Sequence, residues 1–257
     1  MPSTSDDLAY SLDPVLWAKE VLDFRPDPWQ AKALQSSGRQ AIWNIHRQAG
    51  KSSVAAIKAL HKAVFAPGSL TLVVSPSERQ SSELYRKFLA YYDKLDSPPG
   101  MPEDKALSCT LSTGSRVVAL PGKEATVRSF SAVSLIIEDE ASRVDDALNA
   151  AIRPMLAISH GELLLMSTPH GKRGHFFEAW ENGGPNWERI LVTADQCPRI
   201  TPEFLADERR ALGDWMYRQE YFGEFVETVD QLFHYDDVVG AISADVKALD
   251  IGVDKPW

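Results

Sequence analysis

The sequence "QAIWNIHRQAGKSSVAAIKALHKAVF", residues 40–65, decides the fold. Its opening QAIWNI is apolar enough for a buried strand, and the apolar residues after Lys51 recur at the spacing of a helix. The turn between them ends in Gly50-Lys51-Ser52, which is the end of the phosphate-binding pattern G-x-x-x-x-G-K-[ST]. That pattern requires a glycine at position 45, where this chain has isoleucine. Either the match is accidental, or another residue supplies what the missing glycine would give.

The rest of the chain alternates apolar strands with helices. Further strands are predicted at Leu70–Ser75 and at residues 134–139, 162–168 and 189–193, with a hairpin over residues 107–120. Helices are predicted from near residue 29 and at residues 14–24, 52–65, 78–95, 145–158 with a break at Pro154, 176–181, 203–212 and 215–222. Apolar strands that alternate with helices are typical of a parallel sheet covered on both faces.

We therefore predict an α/β fold, a three-layer sandwich around a mainly parallel central sheet. This domain is expected over residues 1–225, and it includes an N-terminal helical segment at residues 14–39. A small helical or linker segment at residues 226–257 is expected to follow, with one modest helical run at residues 235–242.

Composition narrows the class of protein. The chain has 257 residues, 44% of them hydrophobic, and a net charge of −9, which is ordinary for a globular protein. Cys109 and Cys197 lie far apart and give neither a metal site nor a disulfide framework. Because no stretch resembles a membrane span or a signal peptide, we expect an intracellular protein of a reducing cytoplasm, without a membrane partner.

The glycine-lysine loop lies where a nucleotide would bind. Ligands of open α/β sheets bind beyond the carboxyl ends of the strands. The loop follows a strand and opens a helix, where free N–H groups and the helix dipole favour phosphate. In this pattern Lys51 would contact the β and γ phosphates, and Ser52 would offer its hydroxyl to Mg²⁺. The alternative is a chance Gly-Lys-Ser, which is a common tripeptide.

Acidic residues follow another apolar strand in "LIIEDEA". There Asp139 can hold the water shell of Mg²⁺, and Glu140 can orient and deprotonate the attacking water. Alternation along a strand places Glu138 and Glu140 on one side and Asp139 on the other. The strand can already turn at its end, however, so these roles follow the order of the motif. The alternative is an ordinary solvated strand end.

Two further motifs complete the predicted site. "LLLMSTPHG" ends a buried strand in Ser167-Thr168-Pro169, whose hydroxyls could bond the γ phosphate or the catalytic acid and so sense hydrolysis. A plain strand-terminating turn is the alternative. "PDPWQ" precedes the loop, and there Gln30 could read the adenine edge while Pro28 or Trp29 packs on the base. A buried tryptophan beside a helix-starting glutamine explains that motif equally well.

In this order the motifs resemble the ATPase domain of the large terminase subunit, the motor that packages DNA in tailed phages and herpesviruses. The resemblance runs over about residues 26–225, and its most specific element is the loop R-Q-x-G-K-[ST], common in that family in place of the glycine-first loop. It implies that the guanidinium of Arg47 binds phosphate or fixes the conformation of the loop. A glycine-rich loop would use more backbone groups for the same purpose. The resemblance implies that the predicted α/β sandwich is a P-loop NTPase fold of the RecA/ASCE type. It assigns ATP and Mg²⁺ as cofactors to a cradle of Arg47, Gln48, Ala49, Gly50, Lys51, Ser52 and Ser53.

The resemblance also implies an arginine that acts across a subunit interface. In "TVRSFSAVSLIIEDEA", Arg128 takes the place of an arginine that is proposed, in such motors, to reach the nucleotide of the neighbouring subunit. Ser129 stands where that family usually has glycine, and Arg143 and Arg153, which we also expect near the acidic loop, are the alternatives. "STPHGKRGHFFEAW" resembles the coupling motif with its following helix, and "WMYRQEYFGEFV" resembles the closing Q-E-Y-x-x-x-F helix.

The implied function is an ATP-hydrolysing motor that translocates double-stranded DNA into a procapsid. Its implied partners are DNA, the portal protein, the small terminase subunit and further copies of itself. The ring is expected to be pentameric on the portal, and the isolated chain monomeric or weakly associated. The expected location is the host cytoplasm, with transient docking on the procapsid. Because the chain is acidic, DNA would have to meet local basic groups, for which the candidates are Lys123, Arg128, Lys172 and Arg173.

Other functions remain open at this point. Only about thirty residues follow Phe225, too few for the nuclease domain of a full large terminase, so nuclease activity is not expected. A superfamily-2 helicase shares these motifs but places its arginine in a second motor domain. A nucleotide-binding scaffold without turnover is the other alternative, supported by Ile45 and by the acidic composition.

Overall fold

The computed structural model of the chain describes residues 4–121, 130–197, 199–227 and 240–241. The chain divides into two compact units, Met1–Val226 and Glu227–Trp257, and every element named below lies in the first. The predicted helical run at residues 235–242 lies almost wholly outside the described residues. The predicted domain boundary after Phe225 stays a prediction.

An eight-stranded sheet forms the centre of the described chain, in the order β3-β4-β5-β2-β6-β7-β1-β8. The strands are β1 Gln40–Ile45, β2 Leu70–Ser75, β3 Glu103–Lys105, β4 Ser108–Thr110, β5 Arg116–Pro121, β6 Leu135–Asp139, β7 Glu162–Ser167 and β8 Trp187–Val192. From β5 to β8 in this order all neighbours pair in parallel, whereas β3, β4 and β5 pair antiparallel. The mainly parallel sheet is thereby confirmed, and β7 separates the loop strand β1 from the acidic strand β6.

Helices surround this sheet. They are α1 Thr4–Leu12, α2 Pro14–Glu20, α3 Pro28–Gln35, α4 Lys51–Phe65, α5 Glu78–Tyr92, α6 Asp146–Ile152, α7 Gly174–Glu181, α8 Pro202–Leu212 and α9 Asp214–Phe222. Short 3-10 helices lie at Ala141–Arg143, Arg153–Leu156 and Ala194–Gln196. The sequence predicted α2 to α9 with errors of a few residues at their ends, but it did not predict α1 or the edge strand β3.

Backbone conformation explains where two of the helices end. α2 stops at Glu20 instead of residue 24, and Asp23 takes a φ of 46°, which a right-handed helix does not allow. The predicted break at Pro154 is confirmed, because α6 ends at Ile152 and a 3-10 turn carries the proline. Proline has no N–H for the helical ladder, so the α-helix does not continue through it.

The sheet has a hydrophobic layer on each face. Neighbouring strand residues point into opposite layers, as alternation requires. Trp43 and Ile137 pack with residues of α4 and α5, whereas Ile42 and Ile136 pack with residues of α6 and α7. This arrangement is the three-layer α/β sandwich predicted from the sequence. None of the described helices combines the length and the apolar character that crossing a bilayer requires.

Candidate nucleotide site

The predicted motifs meet at one edge of the sheet. Because β1, β7 and β6 lie side by side and run parallel, their carboxyl ends share that edge. The loop follows β1 after Ile45, the acids end β6 at Asp139, and β7 ends at Ser167. The structure therefore brings together the loop, the acids and the turn Ser167-Thr168-Pro169, which we call the coupling turn.

The position of the missing glycine is still part of a strand. Ile45 ends β1 in register with Val192 of β8, and its side chain is fully buried in the core. The chain turns later, at Gln48 and Gly50, whose φ values are 64° and 93°. Left-handed backbone of this kind favours glycine. The loop therefore needs its glycine at position 50, and an apolar residue at position 45 extends the strand instead.

Gln30 supports the loop from the side of α3. Its Nε2 donates to the carbonyl oxygen of Ala49 at 3.1 Å, and its Oε1 accepts the N–H of Asp27 at 2.9 Å. The side chain is buried, and a Cβ added to Gly50 would lie 3.0 Å from Nε2. Gly50 is thus required both by its backbone conformation and by the approach of this amide. The adenine-reading role of Gln30 stays a prediction.

Trp29 also faces the protein interior. Its ring is half-buried and meets that of Trp43 edge-on, with the ring centroids 6.4 Å apart. Such edge-to-face pairs are a favourable geometry for aromatic rings, so this contact ties α3 to the loop strand. Packing of Trp29 on a nucleotide base stays a prediction.

Lys51, Asp139 and Glu140 form the charged centre of the site. Lys51 begins α4 and is 8% exposed, and its Nζ lies 3.6 Å from Oε1 of Glu140. Asp139 is 7% exposed, and its Oδ1 accepts the N–H of Glu140 at 3.0 Å. Burial, followed by the neighbouring Glu140 carboxylate, raises the pKa of Asp139 to about 6. Two carboxylates thus lie next to each other at this point, and oxygen ligands of this kind suit a divalent cation.

The chain turns at Glu140, and this breaks the alternation expected along the strand. Glu140 takes a left-handed φ of 53° directly after β6, so its side chain reaches Lys51. Glu138 is fully buried and accepts a hydrogen bond at 2.9 Å from Asn149, which lies on α6. The expectation that Glu138 and Glu140 share one side is therefore wrong. The order of the motif is the better guide, because it places Asp139 and Glu140 together.

Glu220 of α9 links the loop to the acids, a contact that the sequence did not predict. Its Oε2 accepts a hydrogen bond from Nε of Arg47 at 2.7 Å, and its Oε1 accepts one from Nη2 of Arg143 at 3.3 Å. Arg143 also donates from Nη1 to Oε2 of Glu140 at 3.3 Å. The side chain of Arg47 is 61% exposed, against 13% for Glu220. The Q-E-Y pattern of the closing helix is the signal that could have identified this residue.

The coupling turn contacts both neighbouring motifs. Oγ of Ser167 lies 2.7 Å from Oγ of Ser142, which follows the acids. Thr168 donates from Oγ1 to Oε2 of Glu220 at 3.4 Å, and Pro169 is buried beside it. Since Ser167 and Thr168 are both fully buried, these contacts connect the end of β7 with the acidic turn and with α9.

The arginines considered for action across an interface lie in different places. Arg128 lies outside the described residues, and so does Lys123. Arg143 lies inside the site, bonded to Glu140. Arg153 instead lines a cavity of about 560 Å³ together with Arg39, which precedes β1. Arg153 is therefore at the amino ends of the strands, away from the acids that it was expected to approach.

One family model and several curated proteins match this chain in sequence. A family model described as "Terminase large subunit, T4likevirus-type, N-terminal" matches residues 44–239. The large terminase subunit of Thermus phage G20c is 23% identical over 249 residues, which cover 83% of this chain and 51% of that one. That of Escherichia phage T5 is 26% identical over 197 residues, covering 74% and 44%. The chain thus spans about half the length of the curated relatives it matches.

Solved structures share the fold. The large terminase ATPase domain of Thermus phage P74-26 superposes with a TM-score of 0.71 at 22% identity, covering 84% of this chain and 100% of that one. The large terminase of the thermophilic bacteriophage D6E in complex with ADP gives 0.62 at 12% identity, covering 77% and 53%. The predicted P-loop NTPase class of α/β sandwich is thereby confirmed.

Proposed function

Because the chain belongs to the terminase large subunit family, by its match to the N-terminal domain, we propose that it hydrolyses ATP to drive double-stranded DNA into a phage procapsid. One observation supports this most: Nζ of Lys51 lies 3.6 Å from Oε1 of Glu140, where the phosphate-type loop meets the acidic strand. A loop lysine beside a carboxylate that follows a second, buried carboxylate suits the transfer of a phosphoryl group to water.

The nucleotide would bind at the start of α4. The D6E terminase has been solved with ADP and with ATP-gamma-S. In this chain Lys51 opens a helix of 15 residues, whose first N–H groups and dipole favour phosphate. Lys51 would contact the β and γ phosphates, with Gln48 to Ser53 around them. Gln30 and Trp29 would flank the adenine.

The acids suit a magnesium ion. Mg²⁺ prefers oxygen ligands and is commonly held by one or two carboxylates together with substrate phosphates and waters. Asp139 fits this role, because burial and the Glu140 carboxylate raise its pKa to about 6, and a bound cation would offset that unfavourable burial of charge. Ser52, half-buried in the first turn of α4, offers a hydroxyl. Ser52 and Asp139 would hold the ion, which when bound neutralises charge on the phosphates.

Glu140 would orient the attacking water and accept its proton. Its side chain is 20% exposed, so water can reach it, and it lies 3.6 Å from Nζ of Lys51 and 3.3 Å from Nη1 of Arg143. The water oxygen would bond to the γ phosphorus while the bond to the bridging oxygen of ADP breaks. Arg47 would contact phosphate, exchanging the carboxylate of Glu220 for another oxyanion acceptor.

The motor would need neighbouring subunits and partners. Arg128 of one subunit would stabilise charge on the γ phosphate held by the next, and Ser167, Thr168 and Pro169 would transmit the loss of that phosphate. We place the chain in a ring, pentameric on the portal, with the small terminase subunit as a further partner, in the host cytoplasm. Because a neighbour completes the site, specific ATPase activity of the isolated chain should rise with its concentration. Constant activity over a wide range would count against a shared site.

Replacement of Glu140 tests the hydrolytic role. Glu140→Gln keeps the size of the side chain but removes the base, so we expect ATP turnover to fall by about 100-fold or more while binding of a fluorescent ATP analogue is retained. Glu103→Gln on the edge strand, where the carboxylate is 61% exposed, is the matched control and should leave both unchanged. Full turnover in Glu140→Gln, or no turnover in the wild type, would overturn the proposal.

A further inference from the structure

Glu138 is a buried carboxylate that faces away from the nucleotide side of the sheet. It is 0% exposed, and its Oε1 lies 2.5 Å from Nε2 of His175. The other ring nitrogen of His175, Nδ1, lies 2.8 Å from Oδ1 of Asp146. Asn149 completes the group by donating from Nδ2 to Oε2 of Glu138 at 2.9 Å. We call these residues, Glu138, Asp146, Asn149 and His175, the His175 clamp.

The contacts of the clamp favour a charged imidazole. Both ring nitrogens face carboxylate oxygens, which accept hydrogen bonds, so a ring that carries a proton on each nitrogen fits this arrangement. Burial opposes that charge, but the hydrogen bond and the charge of Glu138, followed by those of Asp146, outweigh it and raise the pKa of His175. Protonation of the ring between these two carboxylates would offset the cost of burying Glu138.

The clamp joins the acidic strand to the helix that follows the coupling turn. Glu138 belongs to β6, Asp146 begins α6, and His175 is the second residue of α7. The backbone N–H of His175 also donates to Oδ1 of Asp146 at 2.8 Å. Both the main chain and the side chain at the start of α7 are thus held, and α7 is fixed relative to β6 at this point.

Glu138 lies near the end of β6, directly before Asp139. It is the last residue of β6 in register with both neighbours, Val74 of β2 and Leu165 of β7. Within the described sheet, Asp139 is in register with Met166 of β7 only. Since successive strand residues point to opposite faces, fixing the side chain of Glu138 on one face directs Asp139 to the other.

We propose that Glu138 and His175 are positioning residues for the ATP hydrolysis proposed above, on which this inference rests. Neither touches the nucleotide; the clamp directs Asp139 and Glu140 toward it and holds α7 in a fixed relation to them. The segment that runs from the coupling turn to the start of α7 is then attached to the acidic residues at both of its ends. Ser167 contacts Ser142 at 2.7 Å at its start, and His175 contacts Glu138 at 2.5 Å at its end.

The test removes the clamp without leaving a charge buried. Glu138→Leu combined with His175→Leu replaces the ion pair by apolar side chains, a change that often preserves folding. We expect its kcat for ATP to fall about tenfold to a hundredfold, because small misplacements of catalytic groups are costly, while its affinity for the ATP analogue is retained. Glu138→Gln, which can still hydrogen-bond Asn149 and His175, should keep most of the turnover. Asp207→Asn on α8 changes a carboxylate that is 67% exposed and lies outside the clamp, so as the matched control it should leave turnover unchanged.

A second readout follows the strand end without relying on turnover. Backbone amides of residues 136–142 should exchange with deuterium faster in the double variant, while those of Leu70–Ser75 in β2 stay protected. Wild-type kcat in the folded double variant, or unchanged exchange at residues 136–142, would overturn the positioning role. If the double variant does not fold, His175→Gln, which can bond only one carboxylate at a time, is tested by the same two readouts. A wild type without ATP turnover would overturn the proposed function and with it the catalytic role of the clamp. The deuterium exchange of residues 136–142 would still show whether the clamp fixes the end of β6.

Discussion

Two neighbouring carboxylates at the end of β6 have opposite environments. Glu138 is 0% exposed, and the protein itself surrounds it with Asn149 and the ring of His175. Asp139 is 7% exposed, receives one N–H bond from Glu140, and lies beside a second carboxylate. A buried charge that the protein satisfies holds structure in place, whereas one that it leaves short of cations suits a ligand ion. We therefore infer that Glu138 anchors the strand on one face, whereas Asp139 takes part in the proposed chemistry on the other.

The largest effect is expected at Asp139. Asp139→Asn removes the carboxylate proposed to hold Mg²⁺, and because a metal ion stabilises the transition state by several kcal/mol, ATP turnover should fall at least about 100-fold. A steady-state ATPase assay at saturating Mg²⁺ measures this. Retention of more than about a tenth of the activity would contradict the proposed role of the nucleotide face.

The same variant should be more stable than the wild type. The pKa of Asp139 rises from 3.8 to about 6, roughly two units at about 1.4 kcal/mol each, so the ionised carboxylate costs about 3 kcal/mol of unfolding free energy. The folded state holds this proton more tightly, so the wild type loses stability as the pH rises from about 4 to about 6 and not beyond. Urea denaturation should therefore show a gain for Asp139→Asn at about pH 8 and little at about pH 4. A loss of stability at the higher pH would contradict this account of the site.

On the opposite face, removing the cation should destabilise. His175→Ala leaves Glu138 buried without its partner, and breaking a buried pair in this way costs about 3 kcal/mol. Urea denaturation at about pH 6, where the imidazole is charged, measures the loss. The double leucine variant of the clamp is the comparison and should recover most of it, since no carboxylate stays buried. An equal loss in both variants would show that packing, and not charge, holds this face.

The pH dependence should separate the two faces. The folded pKa of His175 is raised, so its contribution to stability is complete below the unfolded value of about 6.5 and is lost as the pH rises through the folded value. The difference in unfolding free energy between wild type and His175→Ala should therefore shrink as the pH rises above about 6.5. A difference that grows with pH would refute the charged clamp.

The smallest effect is expected at an exposed ion pair. Arg86 lies 2.8 Å from Glu83 on α5, and the two side chains are 69% and 57% exposed. Such pairs contribute little because water and salt screen them. Arg86→Ala should change the free energy of unfolding by less than about 0.5 kcal/mol, by the same denaturation assay. A larger loss would mean that exposed ion pairs also contribute strongly to the stability of this protein. Burial would then not explain the larger effects expected at β6.

Much of the fold followed from local sequence patterns. Long apolar strands such as Leu70–Ser75 and periodic helices such as α4 were predictable because each pattern reflects burial on a sheet or a helix face. The helix α1 was missed because leucines 8 and 12 are exposed, at 61% and 76%, and so do not form a buried stripe. The edge strand β3 was missed because all three of its residues are exposed.

The site was predictable in its parts but not in its connections. The order of the motif placed Lys51, Asp139 and Glu140 together, because parallel strands share one edge. The alternation of side chains failed as a guide at Glu140, because the left-handed backbone of this residue interrupts the extended conformation on which alternation depends. The contacts of Glu220 with the loop, and of His175 with β6, join residues far apart in the chain. Spacing within the sequence carries no information on such pairs.

The central claim is that the charged centre formed by Lys51 and the β6 acids binds Mg²⁺ and ATP. Calorimetric titration of Mg²⁺ and ATP-γ-S into the wild type and into Lys51→Ala tests it most directly. The account predicts saturable binding to the wild type and at least a tenfold weaker affinity for the variant, a loss of about 1.4 kcal/mol or more. Equal affinities, or no binding by a folded wild type, would contradict it.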